Sequence, residues 1–258
     1  MPIPVEEQNL SETGPVVTSR LSSLYTKKEG TFSYALVCAI SGGTKKEKDF
    51  LNVLIKGNDI PALRVVFISK DGQGLQPYQM QEKWAEIQTT RKISVGSSEF
   101  ELEAVDKVFL LSDVDEFYGQ LLKILTEKRT EDVGEWVISN PCFEVWLYYC
   151  YKNNPQEDLA SLNEMPLDKR SQELKRLEGL LVSGGLNPIR AFELMRAGIN
   201  HSKAHFMLDE NGIPILFSTQ MHNFAQYLID VMNRTTDEYE RFVKTRQEFR
   251  WTMKRRRI

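Results

Sequence analysis

Short apolar runs that stop abruptly at polar residues recur through the first 150 residues of the chain. Each run has the length of a buried strand and leads into a segment with the periodicity of a helix. Strands are predicted at 34–40, 63–68, 105–111 and 136–138, and helices at 45–56, 77–90, 116–127 and around Pro141. Strands that alternate with helices at this spacing form βαβ units, so the pattern predicts an α/β fold with a mainly parallel sheet flanked by helices.

After Tyr151 the pattern changes to helices alone. They are predicted at 156–163, 167–182, 188–207, 219–234 and 236–254, while Pro214 argues against a regular strand at 213–217. Residues 1–30 contain proline, serine and threonine without sustained periodicity, which is typical of a poorly ordered arm. The expected organisation is therefore this arm, an α/β domain at 31–151, and a helical C-terminal part at 152–258 packed against that domain.

The composition is that of an ordinary globular protein. The chain has 258 residues, 41% of them hydrophobic, and a formal net charge of -3, so it can bury one sizeable core. No apolar run approaches the roughly 20 residues that span a bilayer, and the N-terminus lacks the basic and apolar regions of a signal peptide. Three cysteines without metal-ligand spacing are typical of reduced thiols. We therefore expect a cytoplasmic protein without a membrane partner.

The charge is distributed unevenly. From Arg241 to the end the chain has eight Lys or Arg and one Glu, about +7, and the remainder has 25 basic and 35 acidic residues, about -10. A basic tail at 241–258 that ends in Lys254, Arg255, Arg256 and Arg257 is compatible with binding of nucleic-acid phosphates. The alternative is a solvated helix end whose cations complement the helix dipole.

Acidic residues follow directly on the third predicted strand. Asp113 and Asp115 come after the run that ends at Leu111, at an edge where α/β proteins bind ligands. Paired carboxylate oxygens are ligands that Mg²⁺ prefers. The spacing therefore predicts a Mg²⁺ or Mn²⁺ site, although one aspartate could instead cap the next helix while the other is solvated.

The fourth predicted strand ends in a similar way. Ser139 and Asn140 follow it, and Glu144 comes within one helical turn. If the strands are parallel neighbours, Glu144 lies at the same edge as Asp113 and could complete a metal site, because such sites collect carboxylates from separate strand–helix junctions. Alternatively, Glu144 only complements the dipole of its helix.

The first strand is followed by a short glycine turn. Gly42 and Gly43 could bring backbone N–H groups to a phosphate, or they could serve only a tight turn. Thr44 and Glu47 have the spacing of a capping box, which marks the start of the helix.

These residues resemble a known family. The string Ser139-Asn-Pro-Cys-Phe-Glu-Val-Trp-Leu147, about thirty residues after a D-x-D strand end, is similar to the RloB family of bacterial defence-associated proteins, as is Phe217-Ser-Thr-Gln-Met-His222. The resemblance covers about 33–235 and implies a Toprim-like fold. It also implies Mg²⁺-dependent phosphoryl transfer on nucleic acid (DNA or RNA), an AAA- or ABC-type ATPase partner and a role in abortive phage infection. By this resemblance Asp113 and Asp115 are metal ligands and Glu144 is a third acidic member. Whether the protein forms a homo-oligomer stays open.

The chain departs from the family pattern at one position. The family pattern E-G-x-x-T-E has its leading glutamate after the first strand, where this chain has Ser41. A serine hydroxyl cannot supply the charge of a carboxylate or act as a base near neutral pH. Either Glu47 or Asp49 substitutes from the helix, or the domain has lost or altered its catalysis. Two functions follow: a metal-dependent nuclease, or a degenerate module that binds nucleic acid or a partner as a sensor or scaffold.

A second possible metal site is formed by histidines. His201 and His205 lie four residues apart on a predicted helix, with His222 or Asp209 as further candidates. The alternative is an ordinary helix face without a ligand.

Overall fold

The computed structural model describes residues 16–17, 34–56, 60, 63–70, 72, 74–104, 106–127 and 134–255, with side-chain detail in the last helix ending before residue 246. Its strands are β1 (Val16–Val17), β2 (Ala35–Ser41), β3 (Leu63–Ile68), β4 (Lys92–Val95), β5 (Ser98–Glu101), β6 (Lys107–Asp113) and β7 (Glu135–Ser139). Its helices are α1 (Lys46–Lys56), α2 (Pro77–Thr90), α3 (Tyr118–Glu127), α4 (Glu144–Tyr151), α5 (Pro155–Asp158), α6 (Leu167–Leu181), α7 (Pro188–Glu193), α8 (Met195–Ala204) and α9 (Met221–Arg255).

The main sheet has four strands in the order β3-β2-β6-β7, and every neighbouring pair is parallel. The predicted α/β class and the predicted parallel sheet are therefore confirmed. Strand β6 lies between β2 and β7, with Ser41 opposite Leu111 and Asp113 opposite Ser139. This order brings the carboxyl ends of three strands together at one edge.

Both faces of the sheet are buried, as its near-continuous apolar strands require. In β2, Val37 and Ala39 point into one apolar cluster, and Leu36, Cys38 and Ile40 point into another. The first cluster is the larger and includes residues of α1, α4, α8 and α9; the second is covered by α2 and the β4–β5 hairpin. The core is thus continuous from the sheet into the helices that follow residue 151.

Several predicted boundaries differ in the structure. The polar stretch after α2 forms an antiparallel hairpin, β4–β5, to which β1 adds a parallel strand. The helix predicted at 188–207 divides at Leu194 into α7 and α8, because α7 packs on α1 whereas α8 packs on α4 and α9. The two helices predicted at 219–254 are one helix, α9, since no proline or glycine interrupts it. The helix predicted at 156–163 is reduced to α5 and a 3-10 turn at Ala160–Leu162.

Two predicted segments lie wholly or partly outside the residues that the structure describes. Apart from β1, the predicted N-terminal arm lies outside the described residues, and so do Arg256 and Arg257 of the basic tail. The backbone of α9 extends to Arg255. Within the described part of the chain, no helix is long and apolar enough to cross a membrane.

Candidate functional site

Three carboxylates converge at the carboxyl edge of the parallel sheet. Asp113 is the last residue of β6, Glu47 lies in the first turn of α1 after β2, and Glu144 is the first residue of α4 after β7. Because β6 lies between β2 and β7, Asp113 stands between the other two, and its charge interacts with both. The predicted proximity of Asp113 and Glu144 is therefore observed, and Glu47 is the third member.

Asp113 is fixed by the start of α4. Its Oδ1 accepts a hydrogen bond of 2.8 Å from the Phe143 N–H, and its side chain retains partial access to solvent. Removal from bulk water is the largest cause that raises the pKa of Asp113 well above the usual range, and repulsion from Glu47 and Glu144 adds to it. The carboxylate is therefore held in place although its charge is poorly compensated.

Glu47 is placed by a close approach to the glycine turn. A Cβ added to Gly43 would lie 1.9 Å from Glu47 Oε1, so the carboxylate occupies the space that only glycine leaves free. The first α-helical hydrogen bond of α1 joins Asp49 N–H to Lys45 O, which makes Lys45 the N-cap instead of the predicted Thr44. Burial, with repulsion from Glu144, raises the pKa of Glu47 to about 7.

Glu144 is the best compensated of the three carboxylates. It is buried, and its Oε1 lies 3.0 Å from Lys46 Nζ and 3.8 Å from Lys175 Nζ. Lys46 also forms an ion pair with Glu178 of α6. Glu144 therefore does more than complement a helix dipole: it joins α1, α4 and α6 at the site.

Asp115 lies at the margin of this cluster. It begins a 3-10 turn, Asp115–Phe117, with φ of 21°, and its N–H donates to Pro141 O at 3.1 Å. A positive φ is strained for a residue other than glycine. Desolvation raises the pKa of Asp115, while the Ser171 hydroxyl and Lys175 act in the opposite direction. Asp115 shares Lys175 with Asp113.

Four residues of the site do not follow from the strand-end pattern. Lys46 lies beside Glu47 in α1, and Ser171, Lys175 and Glu178 come from α6. The three α6 residues are spaced i, i+4 and i+7, which places them on one helix face. That spacing is visible in the sequence, but it does not indicate which part of the molecule the face meets.

The glycine turn is used by the backbone itself. Gly42 N–H donates to Leu111 O at 2.9 Å, and Gly43 N–H donates to the Ser41 hydroxyl at 3.1 Å. Ser41 is fully buried. These N–H groups are therefore not directed at a phosphate, and Ser41 supports the turn.

The donor set suits a hard cation in composition. In the described ranges, no three His, Cys, Asp or Glu side chains are grouped so as to hold a metal ion by themselves. Mg²⁺, however, usually takes one or two carboxylates and completes its shell with water and substrate phosphates. The carboxylate cluster suits such an ion, because an added positive charge would relieve the repulsion that raises the pKa values of Asp113 and Glu47.

The histidines make hydrogen bonds to other parts of the fold. His201 Nδ1 lies 2.8 Å from Tyr149 O, and His205 Nε2 lies 2.8 Å from Asn153 O. The other two candidates are engaged elsewhere, His222 with Ser202 at 3.0 Å and Asp209 with Tyr118 at 2.7 Å. The possible histidine metal site is therefore not formed, because these groups face separate partners.

Only part of the basic tail lies within the described residues. Arg241 and Lys244 are exposed on α9. Lys254 and Arg255 belong to the same helix, but their side chains lie outside the described part, as do Arg256 and Arg257 altogether.

Comparisons with protein-family models, with curated proteins and with solved structures found no match to this chain.

Proposed function

We propose that this protein is a Mg²⁺- or Mn²⁺-dependent phosphoryl-transfer enzyme that acts on nucleic acid, with nuclease activity as its simplest form. One observation carries the proposal: Glu47, Asp113 and Glu144 meet at the carboxyl edge of a parallel sheet, where burial and mutual repulsion raise the pKa values of Glu47 and Asp113. Such clusters of ionisable groups with perturbed pKa values are characteristic of functional sites.

The acidic residues would have separate roles. Asp113 and Glu144, with Asp115 at the margin, would hold the ion; when bound, it would stabilise charge on the transferring phosphoryl group. Glu47 would replace the glutamate that the family pattern has at the position of Ser41. Its pKa of about 7 suits a group that accepts a proton near neutral pH.

The biological setting belongs to the same proposal. The Ser139–Leu147 string that resembles the RloB family forms the junction between β7 and α4, which supports a Toprim-like antiphage protein with an AAA- or ABC-type ATPase partner. Cys38, Cys142 and Cys150 are buried free thiols, which supports action in the cytoplasm. The basic residues from Arg241 to Arg257 would bind the phosphate backbone.

A second function is favoured by a specific observation. Lys46 and Lys175 already place two positive charges beside Glu144, and the described residues include no ready-made group of three metal ligands. A degenerate module would keep this ion-pair network for stability and bind nucleic acid or a partner as a sensor or scaffold. Such a module binds Mn²⁺ feebly, whereas a working site binds it measurably.

The experiment is a cleavage assay on DNA and RNA, single- and double-stranded, with Mn²⁺ or Mg²⁺. Asp113→Asn is the informative variant because its side-chain carbonyl can still accept the Phe143 hydrogen bond. We expect cleavage to fall at least about 100-fold, since even substitutions around metal ligands cost 10–100-fold. The control is Asp237→Asn, an exposed residue of α9. Cleavage that survives Asp113→Asn would refute the assignment.

A further inference from the structure

Helix α6 presents one polar face to the carboxylate site. The Ser171 side chain lies near Asp115, Glu178 pairs with Lys46, and Lys175 Nζ lies 3.8 Å from Glu144 Oε1. Leu174, fully buried, anchors the helix from the same side. Helix α6 therefore contributes a positive charge, that of Lys175, to the site from outside the sheet.

The two lysines of the site differ in how their charges are satisfied. Lys46 lies between two carboxylates, at 3.0 Å from Glu144 and in a closer pair with Glu178, and its side chain is 30% exposed. Among the described residues Lys175 has no ion pair as close: Glu144 is 3.8 Å away, beyond hydrogen-bond distance, and 51% of the Lys175 side chain is exposed. Lys46 is thus fixed in a network, whereas the Lys175 ammonium is half-exposed at the edge of the site, and no hydrogen bond within the described part of the chain uses it.

The other cations of α6 are directed elsewhere. Arg176 makes two hydrogen bonds of 2.7 Å to Glu173, and Arg170 donates to Met165 O at 3.0 Å. Lys169 is largely exposed and lies 3.9 Å from Asp168. Lys175 alone among the four has its charge directed at Asp113, Asp115 and Glu144.

A phosphate that approaches this site meets buried negative charge. Glu144, together with Glu47 and Asp113 when they are ionised, would repel it where water is partly excluded. A half-exposed ammonium at the rim offsets this repulsion and can donate up to three hydrogen bonds to phosphate oxygens. The position of Lys175 meets this requirement without displacing the Lys46 network.

We propose that Lys175 binds a phosphate oxygen of the substrate, as the one residue of α6 that contacts substrate, whereas Lys46 is a positioning residue that holds Glu144. This inference rests on the proposed function, since it assigns the substrate contact of the same site. It requires a substrate with an accessible phosphate group.

The experiment measures two affinities, of which Lys175→Met should lower only one. Adenosine 5′-monophosphate is titrated by ³¹P NMR with and without Mg²⁺, and Mn²⁺ is titrated by electron paramagnetic resonance. In Lys175→Met we expect the nucleotide affinity to fall about tenfold, the worth of a charge-assisted hydrogen bond. We expect Mn²⁺ affinity to be retained or to rise, because a competing positive charge is removed. Lys175→Arg keeps the charge and should restore nucleotide binding, and Lys169→Met is the matched control on the same helix.

Each outcome decides the inference. A loss of nucleotide affinity in Lys175→Met without a loss of Mn²⁺ affinity, with rescue by arginine, supports it, because a structural role would weaken both affinities together. Equal loss of both affinities, nucleotide binding unaffected by Lys175→Met, or no nucleotide binding by the wild type would overturn it. If the wild type binds no Mn²⁺, the proposed function fails, and the titration without Mg²⁺ still decides the role of Lys175.

Discussion

Glu47 is held where its charge is disfavoured. Its carboxylate is buried above Gly43 and faces the charge of Glu144, and these surroundings raise its pKa from 4.5 to about 7. The positive charges of Lys175 and Lys46 lower the pKa only in part. Ionisation of this one side chain therefore couples the chemistry of the site to the stability of the fold.

The pH dependence follows from that shift. Between pH 4.5 and about 7 the folded protein retains a proton on Glu47 that the unfolded chain has lost. The contribution of Glu47 to stability is therefore complete below pH 4.5 and is lost as the pH rises through about 7. The glutamine of Glu47→Gln stays neutral at every pH. We therefore expect this variant to be more stable than the wild type at pH 8, by on the order of 3 kcal/mol.

Chemical denaturation of both proteins at pH 4 and pH 8 measures this difference. At pH 4 the two proteins should differ little, since both side chains are then neutral. A wild type whose unfolding free energy matches that of Glu47→Gln at both pH values would show that Glu47 is not under this strain.

At the scale of elements, the packing of α8 against α4 holds the helix that carries Glu144 in place. Helix α4 carries Glu144 and is buried along nearly its whole length, and α8 packs closely against it at Gly198. A Cβ on Gly198 would lie 2.8 Å from Cys150 Sγ and 3.0 Å from Trp146 Cη2. The absence of a side chain at residue 198 is therefore what lets the two helices approach.

We expect Gly198→Ala to lower the free energy of unfolding by about 1 to 3 kcal/mol, because overpacking forces neighbouring side chains or backbone to shift. Thermal or urea unfolding measures the change. Gly179→Ala in α6 is the matched control: a Cβ there meets nothing within 4 Å, so the better helix propensity of alanine should raise stability by up to about 1 kcal/mol. Equal effects at the two glycines would contradict the close α4–α8 packing.

The elements also show what the sequence alone could predict. Apolar runs that end at polar residues predicted the four parallel strands, and they placed Asp113 and Glu144 at one edge. The contribution of α6 could not be predicted in this way. Lys175 and Ser171 are separated from Asp113 by roughly sixty residues of chain, and their face meets the site only through tertiary packing, which leaves no periodic signal. The sequence offers Glu47 or Asp49 as a substitute for the missing glutamate, but the approach of Glu47 to Gly43 depends on a side-chain conformation that residue spacing does not specify.

At the scale of the whole molecule, opposite charges are separated along the chain. The segment from Arg241 onward has about +7, and the rest has about -10. The proposed site lies in the acidic part, where an anionic substrate gains from local cations such as Lys175, and the basic segment continues along α9. A nucleic acid held by the basic segment would therefore still need a cation at the carboxylates before its phosphate could approach them.

A Mn²⁺ titration at pH 8, followed by electron paramagnetic resonance, tests whether Asp113 and Glu144 bind a divalent metal ion beside Glu47. At that pH Glu47 is ionised, so its negative charge also favours a bound cation. We predict one Mn²⁺ site in the wild type, weakened at least about 100-fold in Asp113→Asn and unchanged in Asp237→Asn. A wild type that binds no Mn²⁺, or an Asp113→Asn variant that binds it as tightly as the wild type, would contradict the claim.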